Sequence, residues 1–290
     1  MIKTRKAQII TCICMMIVLL LLLLSQRPVE EMIKYFPLDE SISFDSATTE
    51  LRLLHETGND QYLIKWTSKS TLHDVIYLRQ DVSLLYMDGR LKGMKGLWKE
   101  QEKDIKLELT FEESDSSHFQ ALSFHHGGEA HYPNDEIKSI QQMSSDHLYV
   151  IDSPYSALES FREPSSSSQE EWRETIEKTT NQQLQFTWKE WLTASNIQAD
   201  DYILIPFIDI VQFQEQPISQ LSQEQTDKII GQLWEGIYKE YILPISNQTK
   251  TKNQMMPLIL IDKDLDHLIV LFSNEQNQLE TLYQKISLSH

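Results

Sequence analysis

The residues with the clearest chemical potential lie in a histidine-rich stretch of the first half of the chain. Four of the nine histidines fall between residues 118 and 131, around the segment His126-Gly127-Gly128-Glu129 and ending at His131. A glycine pair is typical of a two-residue hairpin turn, which would place residues 126 and 129 opposite each other. Because side chains alternate between the two faces of a strand, His126, Glu129 and His131 would then share one face.

Two imidazoles and one carboxylate with an open position form the ligand set of a catalytic zinc site. One hypothesis is therefore a zinc site at His126, Glu129 and His131 that activates a bound water for hydrolysis. The alternative interpretation is a polar turn whose histidines are simply exposed to solvent.

A local basic segment stands out from an otherwise acidic chain. Arg90, Lys92, Lys95 and Lys99 follow one another with no acidic residue between them. Such a segment could contact a polyanion or lipid headgroups, although an ordinary solvated strand has the same appearance. The whole chain carries 26 basic and 43 acidic residues, a net charge of −17, which argues against nucleic-acid binding because that requires a basic surface.

Several catalytic signatures are missing from the sequence. None of the eight glycines lies in a G-x-G-x-x-G, P-loop or G-x-S-x-G pattern, and both cysteines precede residue 15. No spacing singles out one pair among the many carboxylates. The sequence therefore favours a protein that is not an enzyme and, apart from the hypothetical zinc, predicts no cofactor.

The elements that must position these residues begin with a predicted membrane anchor. Residues 7–24 form an almost continuous apolar run, which as a helix would span about 27 Å, close to the thickness of the hydrocarbon core. Basic residues within 1–6 predict a cytoplasmic tail and an extracytoplasmic remainder. The run lacks a small-residue cleavage site, which favours an uncleaved signal-anchor, and an exported part without cysteine fits a bacterial envelope protein.

The rest of the chain divides into two halves with different periodicity. Residues 27–152 are rich in short alternating segments and predict a β-rich domain, with a tight turn at Asp88-Gly89. The serine- and proline-rich stretch 153–168 predicts a linker or long connection. Residues 169–290 predict an α+β domain. The expected fold class is thus α+β, with an N-terminal transmembrane helix, a mainly antiparallel β half and an α+β C-terminal half.

Capping patterns indicate the helices of the second half. Ser168 with Glu171, and Thr187 with Glu190, have capping-box spacing and predict the starts of two separate helices. A third amphipathic helix is predicted after Ser222. The apolar spacing in residues 275–286 predicts one more amphipathic helix.

Together these features predict a single-pass protein of the cell membrane, attached through residues 7–24 and with its larger part outside. The leading hypothesis is a non-enzymatic regulatory or assembly factor of the bacterial cell envelope that binds another membrane or envelope protein. Two alternatives remain: a metal-binding module or hydrolase on the histidine-rich hairpin, and a β domain that binds a lipid or a glycan.

Overall fold

The computed structural model describes residues 36–39, 41–57, 61–131, 136–246 and 254–287. The predicted tail, residues 1–6, and the predicted anchor, residues 7–24, lie outside these ranges. Within them, no helix is both long enough and apolar enough to cross a bilayer.

Two long strands organise the first sheet. Strands β2 (Gln61–Met87) and β3 (Arg90–Glu113) form an antiparallel hairpin along nearly their whole length. Its tip is Asp88-Gly89, where both residues have positive φ angles, 48° and 75°, as a tight turn of this kind requires. The predicted turn at Asp88-Gly89 is therefore confirmed.

The other strands extend the sheet from the remaining edge of β2, to which two of them pair directly. They are β1 (Phe44–Thr57), β4 (Ser117–His131), β5 (Glu136–Ile151) and β6 (Glu159–Phe161). The sheet runs in the order β1-β2-β4-β5-β6, with β3 on the other edge of β2. The first part of β2 pairs with β1 and its last part with β4, so β2 contributes to two regions of a curled sheet.

The curled sheet brings β1 and β5 together without pairing them. The Leu51 N–H donates to Asp146 Oδ2 at 2.7 Å, and Arg162 donates both to that carboxylate at 2.7 Å and to the Leu51 carbonyl at 2.9 Å. Side-chain hydrogen bonds thus close the seam that the backbone leaves open.

The described residues of the second half contain three α-helices and a second sheet. The helices are α1 (Ser167–Ala194), α2 (Gln223–Ile237) and α3 (Leu243–Ser246). The strands are β7 (Tyr202–Pro206), β8 (Leu258–Asp262), β9 (His267–Ser273) and β10 (Leu279–Lys285), all antiparallel in the order β10-β9-β8-β7. Short 3-10 helices at Ala199–Asp201 and Phe207–Gln214, and a π-helical segment at Tyr238–Ile242, complete this half.

Mostly antiparallel sheets with a few helices confirm the predicted α+β class. The predicted connection 153–168 contains strand β6 and the start of α1. Trp234 on α2 packs its ring 4.6 Å from that of Phe124 on β4 and donates to the Met143 sulfur on β5. The described parts of the two halves thus meet through buried aromatic contacts and belong to one compact unit.

One helix prediction of the second half was partly wrong. The predicted pair of helices after residue 168 is the single helix α1, whose N-cap is Ser166 and which continues unbroken through Thr187 and Glu190. The pattern of a capping box is satisfied equally well by polar residues on the solvent side of a long helix. At Ser222 the prediction is confirmed, because Ser222 and Gln225 form the reciprocal bonds of a true capping box.

The predicted helix over 275–286 is instead strand β10, which pairs with β9 along its full length. Asn277, with a φ of 59°, turns the chain back after β9. Hairpin pairing with the preceding strand β9 outweighs the helical spacing of the leucines, and Thr281 and Tyr283 suit a strand.

Candidate functional site

The histidine-rich stretch does not form the predicted hairpin turn. Gly127 and Gly128 lie inside β4, opposite Ile140 and Ser139 of β5, so the predicted turn is wrong. A Cβ on Gly127 would lie 2.3 Å from the Ile76 Cδ1 atom. Because glycine has no side chain, the space beside Gly127 is filled by the Ile76 side chain.

This register places the predicted zinc ligands differently. His126 and Glu129 are three residues apart in one strand and therefore point to opposite faces. His126 is 2% exposed, and among the described residues neither of its ring nitrogens has a hydrogen-bond partner. Burial lowers the pKa of His126 to about 4. The side chain of His131 lies outside the described part, within which no three His, Cys, Asp or Glu residues are grouped to hold a metal ion.

The predicted basic segment lies on the first half of β3, and three of its members have local partners. Lys92 forms an ion pair with Glu113, Lys95 donates to a backbone carbonyl at 2.7 Å, and Lys99 pairs with an acidic side chain at 3.2 Å. Arg90 is half-buried at the start of the strand. Polyanion contact by these residues stays a prediction.

A polar layer crosses the otherwise apolar interior of the first sheet. We call it the interior polar cluster: Thr49, Ser70, Arg79, Asp81, Ser83, Ser123, His125 and Ser144. It lies between two apolar clusters, one containing Leu51, Tyr62 and Trp66 and the other Leu72, Ile76 and Ile140.

Asp81 is the centre of this cluster. Its Oδ2 accepts from the Ser70 hydroxyl at 2.6 Å and from His125 Nδ1 at 2.6 Å, and its Oδ1 lies 3.6 Å from an Arg79 nitrogen. All four side chains are buried. Burial lowers the pKa of Arg79, while Asp81 opposes that shift by favouring the charged guanidinium.

The cluster also contains a serine, a histidine and an aspartate in sequential hydrogen-bond contact. His125 Nε2 lies 2.8 Å from Ser144 Oγ, so Ser144, His125 and Asp81 are ordered like the nucleophile, base and orienting acid of a serine hydrolase. However, His125 and Asp81 are fully enclosed. Ser144 Oγ is also within 2.7 Å of the Thr49 hydroxyl, so its polar atoms are engaged inside the fold. This environment is typical of a structural polar network.

The strongest candidate for ligand binding is a cleft on the outside of β4, bordered by α1. Its cavity volume is about 470 Å³. The lining, which we call the α1 cleft, consists of His118, Gln120, Glu177, Thr180, Asn181, Leu184, Gln185, Trp188, Pro206, Ile208, Asp209 and Met256.

Helix α1 is held over this cleft at several points along its length. Ile176 packs with Tyr149 and Phe161, and the Leu184 side chain lies over the turn at Gly89. Trp188 donates from its indole nitrogen to the Met256 carbonyl at 2.9 Å. The helix is therefore a fixed wall of the cleft.

Hydrogen-bonding groups of the α1 cleft are largely unused within the protein. Gln120, Asn181 and Gln185 form no hydrogen bond with another described side chain, and each amide offers both donors and an acceptor. His118 is 9% exposed, and its Nε2 atom has no hydrogen-bond partner in the part of the chain that the structure describes. Its ring stacks on that of Tyr149 at 4.0 Å.

The electrostatic character of the α1 cleft is acidic. Glu177 and Asp209 contribute carboxyl groups, and the described lining contains no lysine or arginine. Burial lowers the pKa of His118 to about 3, so this ring is neutral near pH 7. Burial also raises the pKa of Asp209. The arrangement favours a polar ligand that is neutral or positively charged.

Sequence reasoning missed the α1 cleft, although one signal of it is visible. Glu177, Asn181, Gln185 and Trp188 recur at helical spacing and so share one face of α1. A polar stripe of this kind usually indicates only a solvated helix face. The strand and loop residues on the opposite wall could not be assigned to it from local spacing.

No protein-family model matches this chain, and no curated protein or solved structure is significantly similar to it.

Proposed function

We propose that this chain is a membrane-anchored extracytoplasmic protein of the cell envelope that acts without catalysis, as a regulatory or assembly factor. It binds a partner protein through the α1 cleft. The anchor is the apolar segment 7–24, and tethering raises the effective concentration of the binding part near other membrane proteins, so that weak contacts suffice.

The observation that carries this proposal is the set of unused polar groups in the α1 cleft. A cavity of about 470 Å³ is in the size range of ligand sites. Three amides that form no hydrogen bond with another described side chain, together with the buried His118 Nε2 atom, favour recognition of peptide groups or other polar groups. The enclosed hydrogen bonds of Ser144 support a role without nucleophilic catalysis.

Site-specific photocrosslinking in intact membranes tests the proposal. The full-length chain carries p-benzoylphenylalanine at Asn181, inside the cleft, or at Tyr155, which is 96% exposed and lies outside the cleft lining. We expect one dominant protein adduct at position 181 and none of that mass at position 155. A second substitution, Gln185→Trp, should fill the cleft and remove the adduct.

Other outcomes would overturn parts of the proposal. The same adducts at both positions, or none at either, would exclude the α1 cleft as the partner site. An adduct that is digested by glycosidases and contains no protein would favour the glycan-binding alternative. Labelling of Ser144 by a fluorophosphonate probe would exclude a purely non-catalytic role.

A further inference from the structure

Strand β7 is the edge of the second sheet. Within the described residues it pairs with β8 alone, in antiparallel register from Tyr202 opposite Asp262 to Pro206 opposite Leu258. Every second residue of an antiparallel strand directs its backbone N–H and C=O away from the paired neighbour. The outer side of β7 therefore offers a row of backbone donors and acceptors for another strand.

This edge is protected only by its short length of five residues and by the proline at its end. Natural edge strands are commonly shielded by charged side chains, bulges or central prolines. Strand β7 has the sequence Tyr-Ile-Leu-Ile-Pro, with no charge and with proline only at its end. Ile203 and Leu204 are 39% and 40% exposed, which is unusual for apolar residues on an accessible edge.

A groove with both apolar and polar lining residues runs beside the same strand. Its volume is about 300 Å³, and it is lined in part by Ile203, Ile205, Phe213 and Ile218. Grooves of this kind accommodate alternate side chains of an added strand, while backbone hydrogen bonds supply affinity.

The groove adjoins the α1 cleft. Both are lined by Pro206 and Asp209, so a bound segment that follows β7 reaches the cleft at its end. Asp209 is exposed at this junction, and within the described residues no hydrogen bond or ion pair engages its carboxyl group. Nearby protein atoms partly desolvate this group and raise its pKa, so a basic side chain placed beside it would favour the charged carboxylate and form an ion pair.

We propose that β7 is the docking strand for an extended segment of the partner protein. The segment carries alternating apolar residues and a lysine or arginine. It adds to the second sheet as a fifth strand, inserts apolar side chains into the groove and places its basic side chain at Asp209. This inference rests on the proposed function, for which it specifies the class of partner.

Charge disfavours a second copy of the same chain as the occupant. Antiparallel pairing of two β7 edges would bring Asp209 of one copy towards Asp200 and Asp201 of the other, since these residues flank opposite ends of the strand. Like charges at such positions are destabilising. A basic segment removes this repulsion and gains an ion pair.

Selection from a random dodecapeptide library displayed on phage, with the full chain in detergent micelles as bait, tests the docking mode. We expect enriched peptides with a lysine or arginine beside alternating β-branched residues. Synthetic versions are then N-methylated at alternate positions, and their affinities are measured by fluorescence anisotropy. Methylation at one set of alternate positions should weaken binding by about tenfold, whereas the other set should have less than about a threefold effect, because only one set donates to β7.

Two protein variants test the charge contact. Asp209→Asn should weaken binding of the lysine peptide by about threefold to tenfold and reduce its salt dependence. The matched control is Asp264→Asn, an exposed acid in the turn between β8 and β9, which should leave binding unchanged.

Each other result overturns the docking mode. These results are peptides without a basic preference, equal effects of both methylation sets, an unaltered affinity of the Asp209 variant, and no enriched peptide at all. A dimer detected by light scattering would identify a second copy as the occupant. If crosslinking at Asn181 succeeds but one of these results is found, the α1 cleft still binds a partner and only the β7 docking mode is excluded. If binding depends on which set of alternate positions is methylated but Asn181 gives no crosslink, the cleft is excluded as the partner site and the β7 edge is retained.

Discussion

Replacement of His126 by leucine should make the protein markedly less sensitive to mild acid. His126 is buried on β4 without a hydrogen-bond partner, and its pKa is lowered to about 4, mainly by burial. Asp81 opposes this shift and Arg79 adds to it. The folded chain therefore holds the ring neutral until the pH approaches 4, whereas an unfolded histidine binds its proton near pH 6.5.

The sign and size of the effect follow from these two values. Between pH 6.5 and 4 the unfolded state binds more protons, so the free energy of unfolding falls as the pH falls through this window. At pH 5 the resulting loss attributable to His126 is about 2 kcal/mol relative to pH 7.5. His118, with a pKa lowered to about 3, adds a loss of about the same size, which the His126 variant retains.

Urea unfolding of the full chain in detergent, followed by tryptophan fluorescence at pH 7.5, 6.0 and 5.0, measures this difference. The His126→Leu variant should lose about 2 kcal/mol less than the wild type between the first and last pH. Carboxylates contribute equally to both chains and cancel in the comparison. The control His73→Leu, at an exposed histidine, should keep the wild-type pH dependence. An unchanged acid sensitivity of the His126 variant would refute the neutral, buried state of this ring.

Two further changes test the interior of the first sheet. Asp81→Asn removes the charged partner of Arg79 and should lower the free energy of unfolding by about 3–5 kcal/mol in urea titrations. The exposed control Asp45→Asn should change it by less than about 0.5 kcal/mol, and similar effects of the two variants would contradict the central role of Asp81. Gly127→Ala should lower the free energy of unfolding by about 1–3 kcal/mol, because the added Cβ would lie only 2.3 Å from the Ile76 Cδ1 atom. Gly128→Ala has 3.9 Å of space and should be nearly neutral, so equal losses would show that the close approach at Gly127 is relieved without strain.

The sequence predicted those elements whose chemistry is local. The turn at Asp88-Gly89 needs positive φ angles that its residues tolerate, and the helix after Ser222 begins with a reciprocal cap. Alternation in strands such as residues 105–111 requires only that one face of a sheet be buried. Each of these signals depends on only a few neighbouring residues, and the structure contains the element that each one predicts.

The failures arise where contacts with a neighbouring strand decide the structure. Gly127 and Gly128 suit a turn, but Ile76 from another strand occupies the space above Gly127 and the chain continues as β4. The leucines of residues 279–282 suit a helix, but β9 offers a strand partner along the whole segment. Local spacing contains no information about either neighbour.

The candidate site was predictable only in part for the same reason. The polar face of α1 follows from helical spacing, but the other wall of the α1 cleft comes from β4 and from residues after β7. Likewise, Ser70, Asp81, His125 and Ser144 lie on strands β2, β4 and β5, and only the curled sheet brings them together.

Because the chain is synthesised from the N-terminus, the first sheet is made before the elements of the second half that cover it. All six strands of the first sheet are complete by Phe161, so this sheet can pair before the rest of the chain exists. Tyr241, whose hydroxyl lies 3.5 Å from that of the buried Tyr86, is made about 80 residues later, or about 4–16 s at the usual rate of translation. Until then, Tyr86 and Phe124 form part of an exposed apolar face. The nascent protein is thus most prone to aggregation in this interval, and a chaperone that shields the outer face of β2 and β4 would improve its yield.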